Sequence, residues 1–464
     1  MFARKWRINI TAVLIVVLSL GIPMAAFANS MPVYIDEYPA FDIAPMEDCP
    51  VKVDKEQLTF KIDERSSADA MVTAEYTLSN TSEEYISVPM VFPFVSDGYW
   101  GPDANIEFNG KAVDYKVYNA GYVDVKDYLK EPDAFKKQVD IHTIIENLNS
   151  PLYKAKYFDD TADAALYKVT FTKPMDREGY VSFNINTETT RVLTFGFNDF
   201  TIDKSGSCTV CTNVGDNHMS ETGFILVLGK DTLTDIESNA VKLEKSTVNS
   251  KAYILDRIAE DNTAGYAVEM RDMDSYYAQV IRTIDYYWEE SLLVFGYDMV
   301  KGDMGRYNNI YALLYEVDFE PESTNTLKVA YPMEATFDKR ETMDYINTFV
   351  YIVNPAEKFL AFGPMDIRVE MNARCPYIID SSIPFTETEA GVYTASLDGL
   401  PAEDVVFSTY PHKEITFLDR TAARVLPRGY AGILLGFAAA VLGLAVVVEF
   451  LMIKRKKKAF HDEK

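Results

Sequence analysis

The sequence predicts a mainly β protein: two β-sandwich-like domains with helical insertions, followed by one C-terminal transmembrane helix. Many short segments alternate apolar and polar residues, which is typical of half-buried strands. Two longer segments instead repeat apolar residues at the spacing of an amphipathic helix. A continuous apolar run near the C-terminus is long enough to cross a bilayer.

Residues 1–28 are predicted to be a cleavable signal peptide. Three basic residues precede a mostly apolar stretch from Ile8 to Met24. Ala26 and Ala28 then occupy the small-residue positions that a signal peptidase recognises. Cleavage after Ala28 would give a mature chain that begins at Asn29.

Residues 29–235 are predicted to form the first β-sandwich-like domain. Leu58–Ile62, Met71–Leu78 and Ile86–Phe94 alternate apolar and polar residues, and the pattern returns from residue 166. Between about 120 and 160 the period changes to that of a helix. Pro132-Asp133 marks its start, with Asp133 as the cap, so we expect a helical insertion there.

Residues 236–300 are predicted to link this domain to a second β-sandwich-like domain over 301–420. A helix is expected at about 275–288, because Tyr277, Val280, Ile281, Ile284 and Trp288 form one apolar stripe. Six short alternating segments follow, separated by turn-forming residues, which favours antiparallel strands.

An internal sequence similarity suggests that the two predicted β domains are related. The segment from Tyr76 to Pro93 and the segment from Tyr315 to Pro332 share two strands around a turn, at a constant offset of 239 residues. We hypothesise a duplication, although any amphipathic hairpin produces a similar pattern. Corresponding strands should then occupy equivalent positions in their sheets.

The C-terminal segment predicts a single-pass membrane protein. Gly429 to Val448 carries no charge, and the predicted helix covers 429–453. The tail over 454–464 opens with five basic residues, which determine topology by staying on the cytoplasmic side: Lys454, Arg455, Lys456, Lys457 and Lys458. We therefore expect a cell-membrane location with the N-terminal domain outside. Small residues at helical spacing within the span offer a surface for a partner transmembrane helix.

Charge excludes some classes of partner. The chain has a formal net charge of −25. The two ends hold nine basic and three acidic residues, so 36 basic and 67 acidic residues remain in the exterior part, a net charge of −31. This balance keeps a domain soluble and argues against nucleic acid as a partner.

The four cysteines all lie in the predicted exterior part, where disulfides are chemically permitted: Cys49, Cys208, Cys211 and Cys375. Their pairing cannot be chosen from spacing. Cys208 and Cys211, with His218 nearby, are also candidates for a metal or thiol-redox site, although a fourth zinc ligand is not evident.

Acidic residues in predicted loops suggest one further metal hypothesis. Asp159, Asp160 and Asp163 cluster oxygen ligands of the kind that calcium prefers, but they lack the spacing of an EF-hand. We predict no cofactor and retain structural calcium as an alternative.

The sequence contains none of the common catalytic signatures. It has no Gly-x-Ser-x-Gly elbow, no His-Glu-x-x-His and no phosphate-binding loop. We therefore predict a non-enzymatic ectodomain that binds, senses or scaffolds a protein or cell-envelope ligand. The alternatives are an extracytoplasmic hydrolase that uses a pair of carboxylates, and the metal or thiol-redox protein.

Four patches resemble a known group of proteins. The run from Ala74 to Ser82 and the strand end Val91-Phe-Pro-Phe94 resemble the opening sandwich of an uncharacterised family of bacterial membrane-anchored extracytoplasmic β-rich proteins. Phe362–Val369 and Gly391–Leu397 are similar to later strands of that family. The resemblance implies a β-rich bacterial envelope protein, and it transfers no functional residue.

Overall fold

The computed structural model describes residues 34–35, 37–96, 104–123, 131–172, 179–212, 220–260, 271–290, 292–304, 308–417 and 419–420, with isolated positions near the C-terminus. The predicted signal peptide, including Ala26 and Ala28, and most of the predicted transmembrane segment lie outside these residues, as do Lys456, Lys457 and Lys458. Across the described part of the chain, no helix combines the length and apolar character needed to cross a membrane.

The described structure is mainly β, which confirms the predicted class. Among the described residues, the strands before Pro132 are β1 (Tyr34–Ile35), β2 (Ala40–Phe41), β3 (Ala44–Pro45), β4 (Val51–Ile62), β5 (Asp69–Asn80), β6 (Ile86–Ser96), β7 (Asn105–Phe108), β8 (Lys111–Ala112) and β9 (Lys116–Val123). The middle strands are β10 (Asp163–Thr172), β11 (Gly179–Asn184), β12 (Thr190–Phe195), β13 (Asp199–Ile202), β14 (Ser207–Thr212), β15 (Ser220–Gly229), β16 (Thr234–Ser238), β17 (Lys242–Asn249) and β18 (Val294–Gly296). The last strands are β19 (Asn308–Phe319), β20 (Thr324–Glu334), β21 (Thr336–Asp338), β22 (Ile346–Ile352), β23 (Met365–Glu370), β24 (Tyr377–Ser381), β25 (Thr386–Glu389), β26 (Val392–Leu397) and β27 (Val405–Tyr410).

Most helices of the described residues lie in the middle of the chain. They are α1 (Pro132–Gln138), α2 (Ile141–Asn149), α3 (Ser250–Glu260), α4 (Met273–Glu289) and α5 (Tyr297–Met304), with a 3₁₀ helix at Asn354–Lys358.

Strands from both ends of the chain build one outer unit of three sheets. An eight-stranded sheet has the order β25-β26-β23-β4-β5-β20-β7-β8, a four-stranded sheet has the order β3-β6-β19-β9, and a six-stranded sheet contains β1, β2, β21, β22, β24 and β27. One hydrophobic core joins them. Phe92 of the four-stranded sheet lies 4.8 Å, between ring centroids, from Tyr331 of the eight-stranded sheet.

The middle of the chain is an insertion in this outer unit. It holds a five-stranded sheet, β17-β10-β15-β12-β18, and a four-stranded sheet, β13-β14-β11-β16. Leu226 and Leu228 of β15 pack against α3, α4 and α5, whereas Ile225 and Val227 face the four-stranded sheet. β15 is therefore buried on both faces, and its continuous apolar run follows from that position.

The predicted domain division at 235 and 301 does not match these sheets. β5 of the first predicted domain pairs with β20 of the second over eleven residue pairs, and β6 pairs with β19. Most strands were predicted at the right places, but alternation identifies a strand without identifying its partner. The insertion is accommodated because β9 and β19, which flank it, are antiparallel neighbours.

The duplication hypothesis also requires correction. Tyr76 lies in the eight-stranded sheet, whereas its counterpart Tyr315 lies in the four-stranded sheet of the outer unit, which contains β6 and β19. In each segment the two strands lie in different sheets, and the strands of one segment pair with those of the other, β5 with β20 and β6 with β19, rather than opening two separate domains. Their common pattern reflects a common environment, with one apolar face on the shared core.

The helical predictions are partly confirmed. α4 covers the predicted helix and buries all five residues of the predicted stripe. The predicted helix from Pro132 is divided into α1 and α2, and Asp140 caps α2 by accepting hydrogen bonds from the backbone N–H groups of His142 and Thr143. The predicted cap, Asp133, lies instead in the first turn of α1.

A β-bulge in β4 changes which side chains enter the outer core. The register with β5 shifts between Val53 and Lys55, so Glu56 is buried while Lys55 pairs with Asp366 at 2.7 Å on the surface. Without the extra residue, strict alternation after Val53 would turn Lys55 inward. The neighbouring Gly363 donates its N–H to the carbonyl oxygen of Val53 at 2.8 Å.

We predict that Gly363→Ala destabilises the protein by about 2 kcal/mol or more. A Cβ atom at residue 363 would overlap the Asp54 carbonyl oxygen, which belongs to the bulge backbone and cannot rotate away. Denaturant unfolding of the purified protein measures the change. Gly399→Ala is the matched control, because its Cβ would have its nearest neighbour at 3.5 Å. Equal stability of the two variants would contradict this account of the bulge.

Candidate functional site

A groove lies where the insertion meets the outer unit. It has a volume of about 930 Å³ and is bordered by β9, β19, α4, the end of α2 and the chain that follows α2. Polar and aromatic side chains dominate its lining: Asn119, Tyr122, Asn147, Tyr153, Lys156, Gln279, Arg282, Tyr286, Glu289 and Asn309. We call this cavity the junction groove. Its volume is in the range of small-molecule sites, about 300–1,000 Å³.

Helix α4 is fixed against β9 by hydrogen bonds in its first turn. The Asp272 side chain caps the helix by accepting from the N–H of Ser275, and the N–H of Asp272 donates to the carbonyl oxygen of Val117 at 2.9 Å. The N–H of Asn119 donates to Ser275 Oγ at 2.8 Å. One face of α4 is buried in the core of the insertion. With the helix held in this orientation, Gln279 and Arg282 line the groove.

Side-chain amides form the floor of the junction groove. Gln279 Nε2 donates to Asn309 Oδ1 at 2.7 Å, and Asn119 Nδ2 donates to the same oxygen at 3.4 Å. Among the residues that the structure describes, no donor reaches the buried Gln279 Oε1. A buried acceptor without a partner is costly, so this atom favours a ligand that brings a donor.

A bulge shapes the same floor. The register between β9 and β19 shifts beside Ala120, and Gly121 adopts φ +131°, a conformation that L side chains rarely adopt. Asn147 Nδ2 reaches across from α2 to the carbonyl oxygen of Ala120 at 2.9 Å. Bulges beside a cavity commonly redirect side chains towards it.

The rim carries three charged side chains. Lys156 Nζ is 2.9 Å from Glu289 Oε1. The guanidinium of Arg282 lies 5.2 Å from the ring centre of Tyr153 and has no acidic partner in the described part of the chain. Tyr153 in turn donates to Asp285 Oδ2 at 2.8 Å. Burial raises the pKa of Asp285, and burial together with this carboxylate raises the pKa of Tyr153 to about 12.

These groups suit recognition better than hydrolysis. Glu289 is the one carboxylate among the described lining residues, and Lys156 holds it as an ion pair. Glycoside hydrolysis ordinarily requires two carboxyl groups on either side of the scissile bond. The groove instead offers amides for hydrogen bonding, tyrosine rings for stacking and one guanidinium for an anion.

A second polar constellation lies inside the outer core. Asp42 and Glu56 are both fully buried, and two tyrosines connect them. Tyr76 donates to Asp42 Oδ1 at 2.6 Å, Tyr351 donates to Glu56 Oε1 at 3.2 Å, and the two hydroxyl oxygens are 3.2 Å apart. We call these four residues the carboxyl–tyrosine cluster. It lines neither the junction groove nor the cavity beside Ile379 and Arg420. Because all four residues are buried within the outer core, we describe the cluster as a structural element.

Burial controls the protonation of this cluster. Desolvation raises the pKa of Asp42 to about 7, against the hydrogen bonds from Tyr76 and the Ile43 N–H, which lower it. Desolvation and the nearby Asp42 charge raise the pKa of Glu56 well above its usual value. Among the described residues no cation contacts either carboxyl group, so retaining protons avoids two unpaired buried charges.

The structure separates the cysteines that the sequence suggested as a metal or redox pair. Cys208 and Cys211 lie three positions apart on β14, so their side chains point to opposite faces, and Cys208 belongs to a buried core. No disulfide joins the four described cysteines, and burial raises the pKa values of Cys49, Cys208 and Cys375. His218 lies outside the described residues.

The aspartates proposed for calcium have ordinary local roles. Asp159 Oδ1 accepts from the N–H and hydroxyl of Thr161, and these bonds lower its pKa. Asp160 accepts from the Tyr277 hydroxyl, and Asp163 begins β10. Within the described ranges, no cluster of three or more His, Cys, Asp or Glu side chains has metal-binding geometry.

The junction groove and the carboxyl–tyrosine cluster were not predicted from the sequence. Their members come from segments more than a hundred residues apart, such as Asn119 and Asn309. Two local signals were available. Gly121 interrupts an alternating segment, and Glu56 occupies an inward position in a strand whose other inward residues are apolar.

Two solved structures align with much of this chain at low similarity. No family model matches the chain, and no curated protein matches it. A crystal structure from Legionella pneumophila, of a protein provisionally assigned to nutrient binding, aligns with 84% of this chain and 75% of its own length at 9% identity and a TM-score of 0.35. Yeast LTA4 hydrolase in complex with bestatin aligns with 77% of this chain and 28% of its own length, at 8% identity and a TM-score of 0.18.

We predict that the carboxyl–tyrosine cluster makes stability decrease as pH rises from about 4 towards 7. Free carboxyl groups titrate near pH 4, so in this window the folded protein retains protons that the unfolded chain releases. The cluster's contribution to stability is fully present below about pH 4. It is lost as the pH rises through the raised pKa values of the two carboxyl groups in the folded state. For each proton that the folded protein retains and the unfolded chain releases, the unfolding free energy falls by up to about 1.4 kcal/mol for every unit that the pH rises.

Denaturant unfolding between pH 5 and 7.5 tests this dependence. Asp42→Asn and Glu56→Gln should each reduce the slope, because an amide does not ionise. Asp366→Asn is the control, since Lys55 and Ser396 lower the pKa of that carboxylate and place its titration below the window. If all three variants keep the wild-type slope, the cluster does not hold the protons assigned to it.

Proposed function

We propose that this chain is a membrane-anchored binding protein of a bacterial cell surface, and that the junction groove binds a small polar ligand. The observation that carries the ligand site is the convergence of Asn119, Gln279 and Asn309 beneath an exposed guanidinium in one groove. The unpartnered Gln279 Oε1 supports it, because a ligand hydroxyl or N–H would satisfy that acceptor.

The proposed location rests on the two chain ends. The leader with Ala26 and Ala28, the apolar segment 429–453 and the basic run after it are the features that support export and anchoring. The resemblance to bacterial membrane-anchored extracytoplasmic proteins agrees with this proposal.

We predict that Ala278→Tyr abolishes ligand retention. Ala278 lines the groove and is 7% exposed, so a larger side chain there would fill it. Full-length protein in detergent is incubated with a low-molecular-mass extract of the bacterial envelope and desalted, and the retained compounds are identified by mass spectrometry. Thr388→Tyr, on the exposed edge strand β25, is the matched control.

A second variant separates loss of binding from loss of folding. Gln279→Leu removes the free acceptor with little change in volume, and it should weaken retention while leaving the thermal unfolding temperature close to wild type. Retention by both groove variants at the wild-type level would refute the assigned site. Release of a smaller product, lost in Glu289→Gln, would instead support the alternative of a carboxylate-dependent hydrolase.

We predict that the mature protein begins at Asn29 and fractionates with membranes in a bacterial host. N-terminal sequencing and fractionation measure this directly. Replacing both Ala26 and Ala28 by Leu should retain the precursor, because the peptidase requires small residues there. A full-length precursor in the soluble fraction of wild-type cells would contradict both the leader and the anchor.

A further inference from the structure

We infer that the junction groove selects saccharides that carry a single carboxylate, and that Arg282 binds that carboxylate. This inference rests on the proposed function, because it names the ligand class of the same groove. It goes beyond that function because a groove for polar ligands need not discriminate charge.

Arg282 is the one available cation of the groove in the described structure. Lys156 also lines the groove, but its ammonium is 2.9 Å from Glu289 Oε1. Arg282 is exposed, and its guanidinium carbon lies over the face of the Tyr153 ring, 5.2 Å from the ring centre. Among the described residues it forms no salt bridge. A guanidinium stacked on a ring keeps its N–H edges free, and those edges match the two oxygens of a carboxylate.

The floor favours a hydroxyl-rich partner beside that anion. Gln279 Oε1 accepts no hydrogen bond from the described residues. Asn147 is exposed and lines the groove, and because its amide nitrogen donates to the carbonyl oxygen of Ala120, its Oδ1 provides a second acceptor. Both oxygen atoms are hydrogen-bond acceptors. Sugar hydroxyls suit them, because a hydroxyl can donate to one group while it accepts from another.

The aromatic rim provides flat apolar surfaces between these polar groups. Tyr122 is 49% exposed and Tyr286 is 43% exposed, and both line the groove. The negative face of a tyrosine ring attracts polarised C–H groups such as those on the faces of a pyranose. A peptide with apolar side chains would find few apolar partners, since the aliphatic lining is limited to residues such as Leu152 and Ala278.

The charge of the whole protein limits the number of carboxylates on the ligand. The chain has a net charge of −25, which repels polyanions. Attraction by one guanidinium acts locally, within a screening length of about 8 Å at physiological salt. These two effects together favour one carboxylate next to Arg282 over a densely charged chain.

Titration calorimetry with matched saccharides tests the inference on the full-length protein. The probes are cellobiouronic acid against cellobiose, and the N-acetylglucosamine–N-acetylmuramic acid disaccharide against chitobiose, because each pair differs chiefly by one carboxylate. Trigalacturonate tests a polyanion, and glycyl-glutamate tests an anion without sugar hydroxyls. Arg282→Gln is compared with Arg368→Gln, an exposed arginine on β23 that pairs with Glu370 outside the groove.

We expect an acidic disaccharide to bind at least about 10-fold more tightly than its neutral partner. A charge-assisted hydrogen bond to the carboxylate contributes enough binding free energy for a difference of this size. Arg282→Gln should remove this preference, and Arg368→Gln should retain it. Trigalacturonate and glycyl-glutamate should bind more weakly than the preferred disaccharide.

Other outcomes overturn the inference in distinguishable ways. Equal binding of acidic and neutral sugars that is lost in Ala278→Tyr would leave the proposed function standing and refute the charge selectivity. Tighter binding of the peptide or the polyanion would refute the saccharide class. No saccharide binding, together with wild-type retention of envelope compounds by Ala278→Tyr, would refute both.

Discussion

The position of β19 between β6 and β9 is the constraint on which the rest of this structure depends. Its pairing with β6 joins the second half of the outer unit to the first, and its pairing with β9 brings the two ends of the insertion together. A chain segment whose ends are adjacent can fold as its own unit without disturbing the host sheet. The same strands also supply Asn119 and Asn309, so the junction groove is a direct product of this pairing.

Local patterns predicted the elements of this fold well and their partners poorly. The stripe from Tyr277 to Trp288 and the alternation in β4, β5 and β6 depend only on which side of an element is buried. Whether β5 pairs with β20 or with a neighbour in sequence depends on how the whole core closes, which one strand's alternation does not encode. The predicted division into two sequential sandwiches therefore followed from assuming that consecutive strands are neighbours.

The candidate sites show the same limit for function. Cysteines and clustered aspartates attracted attention in the sequence because their chemistry is recognisable at short spacing, yet Cys208 and Cys211 point to opposite faces and Asp159 closes a turn. Amides such as Gln279 and Asn309 have no signature in sequence, because surface amides are common. They become informative only when the fold brings them together and leaves one acceptor without a partner.

The carboxyl–tyrosine cluster and the junction groove both contain polar groups without a full set of partners, but the consequences differ. In the cluster, the enclosing core leaves protonation as the way to avoid buried charge, so the cost of Asp42 and Glu56 becomes a dependence of stability on pH. In the groove, space remains beside Arg282 for a ligand to supply the missing partner. Access to a cavity, rather than the identity of the polar residues, therefore distinguishes a structural polar cluster from a binding site in this protein.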